Sequence, residues 1–194
     1  MKIAIVKYNA GNVESVKNAL NRLGIEPILT DDVEILRSAD KVIFPGVGEA
    51  STAMNYLREK QLDTVITSLE QPVLGVCLGM QLLCKFSEEN TTDCLAVLPY
   101  NVRKFVSDKL KVPQMGWNII FDLKGKLFEG IEENSYVYFV HSFYVENGEN
   151  TSANADYSLN FSAAVEHKNF YATQFHPEKS GEVGAKILEN FLKI

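Results

Sequence analysis

One feature constrains the fold of this chain more than any other. In its first half, short apolar runs alternate with amphipathic segments of helical period. Lys2–Tyr8 reads as a buried strand; Val13, Val16, Ala19, Leu20 and Leu23 then recur at helical spacing behind an Asn12 cap, and Gly24 ends the helix. Ile25–Leu29 and Lys41–Phe44 read as further strands on either side of the Asp31–Arg37 segment. A helix over Glu49–Lys60, a strand over Pro72–Val76 and a helix over Leu78–Phe86 follow. Successive parallel strands need crossover helices that pack on the faces of the sheet, so this order predicts a parallel sheet. The second half changes style. Val102–Phe105, Lys111–Phe121, Ser135–Glu146, Phe161–His167 and Phe170–Gln174 are strand-like, several of them separated by Gly or Asn turns, before a last helix over Gly181–Ile194. These strands predict antiparallel additions. The expected architecture is an α/β three-layer sandwich around a mixed, mostly parallel sheet with helices on both faces. No repeat or Pro/Gly-rich linker interrupts it, so residues 1–194 read as one domain.

Charge and composition narrow the function. With 19 Lys and Arg against 25 Asp and Glu, the net charge is −6 and the chain as a whole lacks the basic balance that nucleic acid requires. The longest apolar stretches, Val73–Leu78 and Tyr136–Val140, fall far short of the roughly 20 residues of a membrane span. The opening Met1–Tyr8 turns polar too soon for a secretory signal, so a cytoplasmic protein is expected. The three cysteines, Cys77, Cys84 and Cys94, form no CxxC pair, which suggests neither a disulfide framework nor a zinc site. No metal or organic cofactor is expected.

Gly75-Val76-Cys77-Leu78-Gly79 sits between an apolar strand and a helical run. This is the nucleophile-elbow pattern with sulfur in place of oxygen: glycines two residues either side let the backbone turn sharply and project the nucleophile where the strand ends. There, the unpaired N–H groups and the positive end of the helix dipole favour a thiolate. The same pattern also fits a small buried hydrophobe between two packing glycines. Cys84 lies seven residues on, on the same helix face, and reads as core; Cys94 carries no motif.

A cysteine nucleophile needs a nearby acid–base group, and that group needs an orienting partner. Of the three histidines, His141 and His167 have no acidic residue in a motif-like arrangement, although Glu166 adjoins His167. His176 lies just past a strand in Gln174-Phe175-His176-Pro177-Glu178. Pro177 restricts His176 to extended conformations, which lets Glu178 fold back towards the imidazole. Alone, the triplet also fits a solvated turn. Phe44-Pro45-Gly46-Val47-Gly48 ends another strand with a glycine-rich turn whose N–H groups, with that of Leu78, suit an oxyanion; a plain loop before the next helix is the other reading.

Taken together, the segments Gly75–Leu83 and Gln174–Ser180 resemble those of class I (triad) glutamine amidotransferases. Tyr8–Ser15, Pro45–Gly48, Val112–Asn118 and Tyr138–Tyr144 resemble a narrower family, the glutaminase subunits of imidazole glycerol phosphate synthase. The resemblance implies Cys77 as nucleophile, His176 as acid and base, and Glu178 as its orienter. It puts Val47, Gly48 and Leu78 at the oxyanion, and Gly46, Gln81, His141, Ser142 and Phe143 around L-glutamine. Asn12, Trp117 and Lys179 resemble positions that face a partner. That partner is implied to be a (β/α)₈-barrel synthase of histidine biosynthesis, in a heterodimer, combining ammonia with a phosphoribosyl-formimino carboxamide ribotide. One position departs: Gln114 stands where the family often carries His. Rival readings are the same glutaminase serving a nucleotide-sugar amidating enzyme, a stand-alone γ-glutamyl hydrolase and a non-catalytic binder.

Overall fold

A computed structural model describes residues 1–9 and 12–194; Ala10 and Gly11, inside the Tyr8–Ser15 segment, lie outside the described residues. The strands are β1 (Ile3–Val6), β2 (Ile28–Thr30), β3 (Lys41–Gly46), β4 (Val73–Cys77), β5 (Phe86–Ser87), β6 (Thr92–Asp93) and β7 (Asn101–Lys104). They continue with β8 (Gln114–Ile120), β9 (Ser135–His141), β10 (Phe143–Val145), β11 (Thr151–Tyr157), β12 (Leu159–His167) and β13 (Phe170–Thr173). The helices are α1 (Val13–Arg22), α2 (Val33–Ser38), α3 (Ala50–Glu59), α4 (Leu62–Thr67), α5 (Leu78–Leu83) and α6 (Gly181–Lys193).

The main sheet runs β2-β1-β3-β4-β13-β12-β10-β7-β5-β6, with β11 paired to β12. From β2 through β13 the neighbours are parallel; from β13 through β12 and β10 to β7 they are antiparallel. Strands β1, β3, β4 and β13 are buried on both faces, whereas the edge strand β2 leaves Ile28 and Leu29 exposed. Ala4 and Val6 of β1 join the apolar layer beneath α2, α3, α4 and α5, while Ile3 and Ile5 join the opposite layer with α1 and α6. Period-2 alternation thus supplies two cores from one strand, which is why these segments read as unbroken apolar runs.

The second half departs from expectation in three places. Phe170–Thr173 is not an antiparallel addition: β13 lies parallel to β4, with Phe170 opposite Val73 and Thr173 opposite Val76. Ser135–Glu146 is not one strand but breaks at Ser142, so that β9 pairs with β8 in a separate two-stranded sheet while β10 joins the main one. Thr151–Tyr157 forms a strand despite its small and polar residues, because β12 offers it a long antiparallel partner, with the register shifting between Thr151 and Asn154. The short α4 also escapes a periodicity reading; its apolar set is only Leu62, Val65 and Ile66.

Candidate active site

Because β3, β4 and β13 are adjacent and parallel, their carboxyl ends meet at one edge of the sheet, where α/β folds place their sites. Gly46 closes β3 opposite Cys77, which closes β4; the chain leaving β13 carries Gln174, His176 and Glu178 to the same edge. Cys77 has φ 53° and ψ −109°, a strained conformation for a residue with a side chain, and α5 starts at the next residue. A Cβ on Gly79 would collide with the Phe44 carbonyl oxygen, and one on Gly75 would stand 2.8 Å from Leu83 Cδ1. The flanking glycines therefore let α5 press directly onto β3 and β4.

His176 is extended (φ −99°, ψ 96°) and Pro177 opens a single 3₁₀ turn over Pro177–Lys179. Within it Glu178 Oε1 accepts from His176 Nδ1 at 2.7 Å, and both side chains are only 1% exposed. Burial would lower the imidazole, but the adjacent Cys77 sulfur and then Glu178 push it up to about 10. Among the described residues His176 Nε2 has no aligned hydrogen-bond partner.

Cys77, Leu78, Val47, Gly48, Gln81, His141, Ser142 and Phe143 line one cavity of about 300 Å³. Gly46 does not: it is buried behind the wall, where a Cβ would strike Tyr8 Oη and approach Leu78 Cβ to 3.0 Å. Tyr8 Oη itself donates to the Pro45 carbonyl at 2.6 Å and holds the end of β3 from behind. Leu78 opens α5, so its N–H has no acceptor within the helix. Both N–H bonds of the Gln81 amide are spent on Phe143 O (3.0 Å) and Gln174 Oε1 (2.9 Å), leaving only its oxygen for a ligand. A larger cavity of about 440 Å³ lies between β8 and the β11–β12 tip, but no thiol lines it.

Two residues of the site were assigned no role from the sequence. Among the described residues Glu89 is the only carboxylate lining the cavity, with Oε2 accepting from Ala50 N at 2.7 Å; burial raises its proton affinity above the usual carboxylate range. It lies in an unremarkable polar stretch, and only the fold turns it inward. Gln174 is fully buried and donates from Nε2 to Cys77 Sγ at 3.7 Å. It stands within the Gln174–Glu178 block, two residues before the histidine, so its proximity was legible although its target was not.

His141 is buried, and burial pushes its imidazole down to about 4, against a lesser opposing bond to Phe143. With the Nδ1–H given to Phe143 O at 2.7 Å, the neutral ring must accept at Nε2, where the Gln114 side-chain amide lies 2.9 Å away. The Gln114 amide turned with its NH₂ towards His141 satisfies both groups. Gln114 is thus a buried neighbour of His141 behind the cavity wall, not a surface residue. A measurable consequence follows for stability. The unfolded chain takes up the His141 proton near pH 6.5 and the folded chain only near 4, so stability falls as pH drops through that window, by about 3 kcal/mol. Urea midpoints across that range should decline less steeply in His141→Gln than in the unaltered protein; identical slopes would reject the assignment.

The positions expected to face a partner differ in placement. Trp117 is 55% exposed on β8 beside exposed Met115 and Tyr136, and Lys179 is exposed with Nζ 6.0 Å from the Tyr138 ring centre. Asn12 is half-buried and its side chain does not cap α1; Nδ2 donates to Glu178 Oε1 at 2.6 Å instead. The remaining thiols stand apart: Cys84 is fully buried, and burial raises the thiols of both Cys84 and Cys94, the latter to about 12. His167 ends β12 beside Phe170, at the opposite edge of the sheet. Among the described residues no group of His, Cys, Asp and Glu side chains is arranged to hold a metal ion, and no helix is long and apolar enough to cross a membrane.

The mixed sheet carries a cysteine elbow and a buried His–Glu pair at the carboxyl edge of its parallel block, and comparison with known proteins gives the class of the fold. Residues 4–194 match the family described as glutamine amidotransferase class-I. A solved structure described as a glutamine amidotransferase superposes with a TM-score of 0.76 at 22% identity, covering 98% of this chain and 97% of that one, which speaks to the fold alone. The imidazole glycerol phosphate synthase subunit HisH of Bacteroides thetaiotaomicron is 58% identical over the full length of both chains. That of Haemophilus influenzae is 46% identical over all of this chain and 98% of its own. The chain belongs to the class I glutamine amidotransferases. Within that class it is a member of the HisH family of imidazole glycerol phosphate synthase subunits.

Proposed function

We propose that this chain is the glutaminase subunit of an imidazole glycerol phosphate synthase, hydrolysing L-glutamine and handing ammonia to a (β/α)₈-barrel synthase subunit in histidine biosynthesis. The observation that carries the chemistry is Cys77 at the β4–α5 elbow, sharing one sheet edge with the 2.7 Å His176–Glu178 pair. The Cys77 thiolate attacks the side-chain carboxamide carbon, and N–H groups at Leu78 and the Val47–Gly48 turn receive the oxyanion, each such donor being worth on the order of 10²–10³ in rate. His176 gives its proton to the departing nitrogen, the C–N bond breaks and ammonia leaves a glutamyl thioester. The neutral imidazole then takes a proton from water, hydroxide attacks the thioester, and glutamate and the thiolate are released. General acid–base assistance of this kind contributes roughly 10²–10⁴-fold. Glu178 keeps the Nδ1–H committed, so that Nε2 faces the reacting atoms.

Ammonia in neutral water is largely ammonium, which is not a nucleophile, so a subunit that releases it needs an acceptor docked at its mouth. Trp117 and Lys179, exposed on this side of the molecule, belong to the surface we assign to that subunit. Mixing the protein with the barrel partner, glutamine and the ribotide should give imidazole glycerol phosphate. No product with a partner that is active on ammonia would favour another acceptor.

Glu89 is read as the group that meets the substrate α-ammonium, since among the described residues it supplies the only carboxylate on the cavity wall. Glu89→Gln should raise KM for glutamine about 10–100-fold, the equivalent of about 1.5–3 kcal/mol for a hydrogen bond to a charged group, with kcat within a few-fold. An unchanged KM would remove Glu89 from the binding site.

A further inference from the structure

We propose that Asn12 is a positioning residue of the hydrolysis, its amide selecting which oxygen of Glu178 orients His176. The inference rests on Cys77, His176 and Glu178 being the reacting set. Glu178 Oε1 takes two donors, His176 Nδ1 at 2.7 Å and Asn12 Nδ2 at 2.6 Å, whereas among the described residues the buried Oε2 takes none. A carboxylate with one donor can rotate and exchange its oxygens. A second donor, fixed on a different element 166 residues away in sequence, holds one oxygen in place and with it the plane of the imidazole. An amide NH₂ can only donate to that oxygen, so the contact leaves Oε1 as the acceptor that Nδ1–H meets.

The local backbone supports a side chain committed to this contact. Asn12 adopts the left-handed conformation (φ 71°, ψ 10°), which Asn tolerates better than most residues, and forgoes the capping bond to α1 that its position would allow. The charged groups near Glu178 offer no substitute. Arg22 of α1 and Glu182 of α6 line the cavity on the far side of Glu178, and neither forms an ion pair with it; the neighbouring Lys179 is exposed and lies over Tyr138. Among the described residues His176 is the only ionisable group within ion-pair distance of Glu178.

Two substitutions test this in the assembled complex at saturating barrel partner. Asn12→Gly keeps the left-handed backbone and removes the amide; because no cap is lost, thermal unfolding should shift little. It should lower kcat for glutamate release about 10–100-fold, the range for losing a partner that orients a reacting group, with KM nearly unchanged. Asn12→Asp, isosteric with the native residue, sets two carboxylates against each other at about pH 8 but regains a donor when protonated. Its activity relative to Asn12→Gly should therefore rise as pH falls towards about 5.5. Alkylation of Cys77 in the isolated chain, followed by peptide mapping, should show the same contrast in its pH profile. A loss in Asn12→Gly that vanishes as partner concentration rises would make Asn12 a docking residue and overturn the proposal. So would an unchanged kcat, or pH profiles for the two variants that run parallel. If the unaltered complex released no glutamate, the glutaminase reading itself would fail, an outcome distinct from all of these.

Discussion

Cys77→Ala abolishes glutamine-dependent turnover, with an expected loss of roughly 10⁴–10⁶-fold in glutamate release, the scale for removing a nucleophile from a set that acts as a unit. No neighbouring group can take over: Cys84 and Cys94 lie outside the cavity, and burial holds both thiols in the protonated form. The fold should survive, since the change only trims the Cys77 side chain from CH₂SH to CH₃ at a position that already lines the cavity. In the complex, the variant should still support synthesis by the barrel subunit when ammonium salt is supplied at high pH, where free ammonia is available. Glutamate release by Cys77→Ala close to the unaltered rate would refute the cysteine mechanism. Loss of the ammonia-supported reaction as well would point to failed assembly.

Gly79→Ala is expected to damage the fold itself. The added Cβ would lie inside contact distance of the Phe44 carbonyl oxygen, and that oxygen belongs to the backbone of β3, which is paired on both sides. Backbone held by two neighbours cannot retreat as a flexible side chain would, so the substitution should cost about 3 kcal/mol or more. For a chain of this size that corresponds to a fall of about 6–12 °C in Tm. A Tm within 2 °C of the unaltered protein would show that α5 can lift off β3. Because Cys77 is the residue before α5, any such lift should also move the nucleophile and lower activity in the protein that remains folded.

Much of this was legible in the chain. The parallel block follows from unbroken apolar runs alternating with helical periods, and the glycines around Cys77 announced a sharp strand-to-helix turn. Local chemistry also fixed the His176–Glu178 pair: Pro177 restricts the backbone, and the two side chains lie two residues apart. The segment Ser135–Glu146 was misread as continuous because β9 and β10 share the same composition, and nothing at Ser142 marks the passage from one sheet to the other. Asn12 does occupy the N-cap position of α1, but its side chain makes no capping bond, because the carboxylate that holds its amide lies far along the chain.

The sequence by itself determined the chemical parts: a thiol on a glycine-flanked elbow, an imidazole with its carboxylate, a glycine-rich turn, and the family to which they belong. Those are matters of local backbone freedom and short spacing, which a chain encodes within a few residues. Only the tertiary structure decided that β13 lies parallel to β4, bringing His176 to the edge where Cys77 ends, and that Glu89, Gln174 and Asn12 join them. Strand neighbours are chosen by burying both faces of the whole sheet at once, and that sum over distant residues is written in no single segment.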